Sequence, residues 1–323
     1  MCVQWEPMVF LLAAFFFVST ACPEAFADPA GLGKDQILAR VAEEAEVFQE
    51  NIPNTLTQET LDQRAVLPPS RFRPRGGSAA MQAPRPRVQV RQIVSEYSVG
   101  TFKETGSHDL HEFRQVVSVD GRAVQSVESA RHALSLGVHS EDDRIRKRML
   151  EEFARFGLVD IASDYGLILL EFSKRGLENL DIQPGPAANI GAEAAVALVW
   201  KQKSDVGGEL EFAGKRAVRQ PLQGVLWVRQ SDGLPLRVEA WAEYTDRNHV
   251  IRDQGTVDYT LSVHGFLTPA SVVHRHLIDG QLITENLYHY QPFRKFSSDA
   301  EIKFTEVPDT PPPASPPKPR GKP

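Results

Sequence analysis

The feature that most constrains this chain is a long succession of period-two alternation across residues 224–304, broken only by short turn signals. In Val257-Asp-Tyr-Thr-Leu-Ser-Val263, the residues Val257, Tyr259, Leu261 and Val263 alternate with Asp258, Thr260 and Ser262. Successive side chains leave a pleated strand on opposite faces, so this spacing gathers the apolar set on one face; a helix would scatter it. Upstream, Leu226-Trp-Val-Arg229 and the alternating Leu236, Val238 and Ala240 flank Asp232-Gly233, which supplies the positive φ that a hairpin loop needs. A four-residue loop there sets Trp227 across from Val238, a contact of roughly 0.2–1 kcal/mol. Downstream, Asp279-Gly280 separates residues 272–278 from residues 281–290 and reads as a two-residue hairpin turn. Ala300, Ile302 and Phe304 alternate with Glu301 and Lys303 as a closing strand.

With 323 residues and 41% hydrophobic content, the chain can bury a large core in one domain. A formal charge of −6 argues against a nucleic-acid footprint spread over the whole chain. Residues 8–18 are an unbroken apolar run, followed by Ala25-Phe-Ala27, the small-x-small pattern that precedes secretory cleavage. The run is short for a bilayer span, so residues 1–27 read as a leader and the mature chain as exported, periplasmic or secreted. Ser19-Thr-Ala-Cys22 offers the competing reading of a lipid anchor on Cys22. Both cysteines, Cys2 and Cys22, lie in the leader. Cleavage after Ala27 leaves no thiol for disulfides, thiolate metal sites or a cysteine nucleophile.

Past the leader, Asp35 caps a helix in which Ile37, Leu38, Val41, Ala45 and Phe48 fall at helical spacing, and Pro53 stops it. Residues 56–66 read as a first strand. Residues 64–91 then hold seven arginines, no acid and five prolines, which predicts an extended loop. Arg71, Arg73, Arg75, Arg85 and Arg87 are the candidates there for contact with an envelope polyanion such as anionic lipid headgroups; the plainer reading is a solvated insertion. Residues 110–119 form a strand that turns at Asp120-Gly121 into another over 122–127. Ser140 and Asp143 open a second helix carrying Ile145, Met149, Phe153 and Phe156 on one stripe. Residues 166–172, 177–182 and 192–200 follow as further strand-like runs. Residues 308–323, with eight prolines, form a solvated, disordered tail.

The expected fold class is mainly β (α+β): one curled antiparallel sheet, a half-barrel, over residues 28–307, with two covering helices. That order of elements, with Tyr288-x-Tyr290-x-x-Phe293-x-x-Phe296 before the last strand and the helix that leads into Thr55-Leu-Thr-Gln58, resembles the bacterial outer-membrane lipoprotein localisation factors. The resemblance implies a non-enzymatic protein that binds acyl chains in an apolar cavity between sheet and helices, with no cofactor. The residues point the same way independently. Their apolar strand surface exceeds what the helices can cover, so the sheet either packs on itself or leaves a lined cavity. Trp227, Leu236, Val238, Val257, Tyr259, Leu261 and Val263 are the candidates to line it, holding a lipid or a lipoprotein acyl chain. The alternative is an envelope interaction protein with a filled interior, whose basic loop and proline tail engage partners.

No G-x-S-x-G elbow, complete Walker loop or G-x-G-x-x-G occurs, and no nucleophile with a neighbouring base assembles from spacing. One metal constellation is weighed. A two-residue turn at Asp279-Gly280 sets residue 274 opposite 285, which brings His274, His276 and Glu285 to one face as possible Zn²⁺ ligands. A plain His274 to Glu285 cross-strand pair reads the same spacing without a metal.

Overall fold

The computed structural model describes residues 32–69, 85–102, 109–161, 164–203, 209–213 and 216–296. The leader with Cys2 and Cys22, the arginines 71, 73 and 75, the expected strand over 300–304 and the proline tail lie outside the described residues.

Helix α1 (Lys34–Asn51) opens the described chain. Its amino end is Gly33, whose N–H donates to Gln36 Oε1 at 3.0 Å; Asp35 sits in the first turn rather than at the cap. Strands β1 (Thr55–Leu67), β2 (Arg87–Thr101) and β3 (Leu110–Val119) follow as an antiparallel meander, with the short β4 (Arg122–Ala123) at its edge. Leu67 pairs with Arg87, so both ends of the expected arginine loop belong to strands. Residues 122–127 are not a full strand. After β4 the chain enters helix α2 (Val127–His139), capped by Ser126 Oγ accepting from Ser129 N, and then α3 (Asp143–Ala154), capped by Asp142.

A short helix α4 (Lys174–Leu177) precedes β5 (Leu180–Ile190) and β6 (Glu193–Gln202). A separate hairpin, β7 (Glu209–Ala213) with β8 (Arg216–Gln220), comes before β9 (Gln223–Arg229), β10 (Pro235–Asp246) and β11 (His249–Leu261). Then come β12 (Leu267–Ile278), β13 (Gln281–Tyr290) and β14 (Arg294–Lys295). Among the described residues one twelve-stranded sheet runs β4-β3-β2-β1-β13-β12-β11-β10-β9-β6-β5, with β14 added to the start of β1. Its two edges never pair, so the sheet is a curled, unclosed antiparallel half-barrel.

Alternation decides what each face does. Along β9 and β10, Leu226, Val228, Val238 and Ala240 are buried on the concave side, while Trp227 and Trp241 are only half-buried on the convex side. A register shift between Pro235 and Arg237 sets Val238 opposite Leu226 and Arg237 opposite Trp227. The expected contact between Trp227 and Val238 is therefore replaced; Trp227 Nε1 donates to Glu239 Oε1 at 3.0 Å instead. The turn at Asp279-Gly280 has φ of 50° and 76°, the left-handed pair that a two-residue hairpin demands.

The helices do not share one task. Helix α1 lies on the concave side, where Val41, Ala45 and Phe48 join the main core and Phe48 meets the Tyr259 ring edge-on at 6.1 Å. Helices α2 and α3 instead cover Phe113 on β3, with Leu134 and Met149 in a smaller core. They approach closely because residue 137 is glycine: a Cβ there would stand 1.7 Å from Met149 Cε. Arg146, fully buried on α3, donates to the carbonyls of Gly137, Val138 and Ser140 and so closes the end of α2.

Candidate functional site

The residues 166–172, expected as a strand, occupy the concave side of the sheet as a 3-10 segment, Tyr165–Phe172. Its sequence, Tyr-Gly-Leu-Ile-Leu-Leu-Glu-Phe, is apolar apart from Glu171, whose carboxylate accepts from Gln202 Nε2 at 2.8 Å. A segment in that position needs this, since sheet and α1 surround it. Leu167, Ile168, Leu169 and Phe172 are buried against the same core as Leu226, Val238 and Val257. Phe172 packs on Trp200 of β6 with ring centroids 5.4 Å apart. This segment is a plug, and the lumen that the sequence leaves open between cavity and packed core is occupied by it. Gly255 on β11 makes room: a Cβ there would stand 2.1 Å from the Tyr165 ring.

Polar contacts to the plug are few and specific. Tyr259 Oη donates to Gly166 O and accepts from Leu169 N, both at 3.1 Å, and burial pushes its phenol far up. On β3, Glu112 accepts from Gly166 N at 3.0 Å, Asp164 N at 3.1 Å and Tyr97 Oη at 3.1 Å. Asp164 answers by accepting Glu112 N at 2.8 Å and meeting His111 Nδ1 at 3.0 Å. Behind Glu112 lies Arg114, 4% exposed, forked onto Glu59 at 2.7 and 2.8 Å and reaching Glu112 Oε2 at 2.7 Å. Its guanidinium sits 5.1–5.5 Å from the ring centres of Phe153, Tyr97 and Tyr288. Burial opposes the Arg114 charge, but the two carboxylates outweigh it and hold the guanidinium more firmly protonated. Burial likewise raises the Glu112 carboxyl above its ordinary value, a rise that Arg114 only partly offsets. Tyr290 and Phe293, from the aromatic pattern near the end of the chain, pack on Tyr97 at 5.1 and 6.1 Å.

A depression of about 460 Å³ is lined by Ile190, Leu234, Pro235, Leu236, Leu261 and Leu267, and shares with the plug the side chain of Tyr259. Arg229, Arg237, Glu193 and Asp258 also line it; Arg237 is forked onto Asp258 and Arg229 meets Glu193 at 3.2 Å.

The seven cavity candidates therefore divide. Val238, Val257 and Tyr259 are buried in the core that includes the plug, whereas Leu236 and Leu261 line the depression, as Tyr259 also does. Val263, 87% exposed, lies in the turn after β11, where alternation has outrun the sheet, and Trp227 is on the convex face. Of the arginine candidates within the described residues, Arg85 and Arg87 are exposed at the start of β2.

The histidine constellation is rearranged. A register shift between His276 and Leu277 sets His274 opposite Asn286 and His276 opposite Thr284. Glu285 is opposite Arg275, bonded to it at 2.8 Å on the other face, so it does not join the histidines. Instead both imidazoles turn to Asp253 on β11, His276 Nδ1 at 2.7 Å and His274 Nε2 at 3.6 Å. Among the described residues no group of three or more His, Cys, Asp or Glu is arranged to hold a metal ion. What the sequence reading missed is the plug and its polar seat, because Glu59, Glu112 and Arg114 lie in alternating strands whose inward phase is invisible without register. Nor is any helix among the described residues long and apolar enough to cross a membrane.

No protein-family model matches the sequence, and no curated protein matches it either. Two solved structures are similar to it. One is a LolA superfamily protein from Nitrosomonas europaea, at 11% identity and a TM-score of 0.29, covering 82% of this chain and 94% of that one. The other is MucB in complex with MucA(peri), at 10% identity and a TM-score of 0.20, covering 82% of this chain and all of that one.

Proposed function

We propose that this chain is a non-catalytic, exported binding protein that takes an acyl-bearing ligand into the concave side of its half-barrel, past Leu236 and Leu261, by displacing Tyr165–Phe172. The observation that carries this reading is the plug itself. Eight consecutive residues in 3-10 geometry are uncommon, since such runs rarely exceed about four. The segment is buried in the main core as well as hydrogen-bonded along its own backbone. Most of those surroundings are apolar and indifferent to what covers them. Burying each such side chain is worth roughly 1.5–3 kcal/mol, and an alkyl chain laid on Val238, Val257 and Leu226 would recover the same term. A depression of about 460 Å³, sharing Tyr259 with the plug, lies within the size range of small-ligand sites. Arg85 and Arg87, with the arginines that precede them in sequence, are the groups we assign to an anionic envelope surface.

One observation favours the rival reading of an interaction protein with a permanently filled interior: Leu226, Val238 and Val257 are already fully covered. Solvent extraction of the purified chain followed by mass spectrometry, together with titration of a fluorescent fatty acid, separates the two. Saturable uptake that unlabelled fatty acid competes away supports the acyl-binding reading. Neither co-purified lipid nor uptake would hand the case to the rival.

A further inference from the structure

The backbone at Val159 and Asp160, which precede the plug in sequence, is seated on a chain of buried amides that ends at a histidine. Gln63 on β1, with Asn286 and Thr284 on β13, are almost completely covered. Gln63 Oε1 accepts from Val159 N at 3.0 Å, and Gln63 Nε2 donates to Val159 O at 2.8 Å. Backbone N–H only donates and C=O only accepts, so the Gln63 amide has one orientation. Its Nε2 also donates to Asn286 Oδ1 at 2.6 Å, which fixes the second amide. Asn286 Nδ2 then donates to Asp160 O at 2.9 Å and faces His274 Nδ1 at 3.0 Å. That ring nitrogen must accept, so His274 is neutral and carries its proton on Nε2, towards Asp253. Two side-chain amides thus relay the direction of the Val159 peptide to the tautomer of an imidazole on β12.

We infer that His274 is a proton-sensitive latch on the plug: a proton taken from solvent at Nδ1 sets two donors face to face, drives Asn286 off the Asp160 carbonyl and loosens the entry to Tyr165–Phe172. This deepens the acyl-binding reading and rests on it for what enters the lumen, though not for the opening itself. The groups around His274 come from every element packed on it. Asp253 and, bonded to it at 3.3 Å, Tyr244 come from β11 and β10. His276 shares Asp253 from the same strand. From the entry chain come Asp160, whose carboxylate accepts from Thr284 Oγ1 at 2.8 Å, and the Tyr165 ring at 5.3 Å. Arg275 and Glu285 bond each other on the opposite face. Burial works to raise the Asp253 carboxyl, but the His274 and His276 imidazoles beside it hold it well below the usual carboxylate range. It stays ionised, so an added proton goes to a ring and the Asp253 charge supports it there.

Hydrogen exchange of the full chain without lipid tests this. After correction for intrinsic exchange, protection of the Val159, Gly166 and Leu169 amides is expected to fall roughly tenfold between about pH 7.5 and about pH 5, with the β11 to β12 ladder unchanged. In His274→Gln the step is expected to vanish. A flat wild-type profile, or a step that survives in H274Q, overturns the latch. Should H274Q not fold, nitrogen NMR of the unmodified protein decides: a His274 ring protonated on Nε2 at neutral pH supports the latch, and one protonated on Nδ1 refutes it. Because no lipid is present, a failed latch leaves fatty-acid uptake at neutral pH untouched, and failed uptake leaves the exchange result standing.

Discussion

The two walls of the half-barrel are built for different purposes. The wall of β6, β9, β10 and β11 presents Leu198, Trp200, Leu226, Val228, Val238, Ala240 and Val257, each 3% exposed or less. The wall of β13, β1 and β3 interleaves Leu61 and Val116 with Glu59, Gln63, Glu112, Arg114, Thr284 and Asn286, each 5% exposed or less. Apolar contact is non-directional, so the first wall accepts any covering of matching shape. Buried polar groups require named partners at fixed geometry, so the second wall specifies where the chain entering the plug must run. One side supplies adhesion and the other supplies position.

Replacing Arg114 with methionine is the severest way to break this contrast. It leaves Glu59 and Glu112 buried without their cation, at an expected cost of about 3–5 kcal/mol in urea denaturation at neutral pH. The cost is expected to depend on pH. Glu112 has its carboxyl raised above 4.5 when folded, so over the window just above that value the folded state binds more protons than the unfolded one. Stability supplied by that proton is present in acid and lost as pH rises through the raised value. The deficit of Arg114→Met is therefore expected to widen towards neutrality, and an equal deficit across that window would contradict the buried-charge account. Leu226→Ala on the opposite wall is expected to cost about 2–5 kcal/mol through the cavity it opens. That loss should be the same at every pH, since no titrating group changes partner. Gly255→Ala has the smallest expected effect on stability, about 1–3 kcal/mol, because the methyl collides with Tyr165. It sharpens the comparison most: dislodging the plug while both walls stay intact should speed fatty-acid uptake, measured by stopped-flow fluorescence.

Legibility in the sequence followed the same division. Alternation in residues 257–263 and the Asp279-Gly280 turn marked β11, β12 and β13, though the first overran the end of β11 at Leu261, because half-buried strands and left-handed turns leave local signatures. Tyr165–Phe172 did not, since a short apolar run reads alike as a buried strand or any other fully covered segment. Helix α2 was hidden because its buried positions at helical spacing, Ala130, Leu134 and Gly137, include a single large apolar side chain, in a run that also carries Ser and His. The polar seat was out of reach for a different reason. One-residue register shifts at Pro235/Arg237 and His276/Leu277 exchange which neighbours meet, so His274 joins Asn286 and Asp253 instead of Glu285. Such bulges depend on the whole sheet, and no local spacing announces them.

The pairing of β1 with β13, in which Glu59 stands opposite Tyr290, carries a consequence for biosynthesis. The seam that joins the two halves of the sheet closes between segments more than two hundred positions apart in the polypeptide. A ribosome must deliver almost the entire chain before that seam can zip. Loops of such span close late and slowly. Until then the first meander and the later strands remain separate fragments, and a nascent chain stopped short of Gln281 would keep them unjoined, open to capture by chaperones.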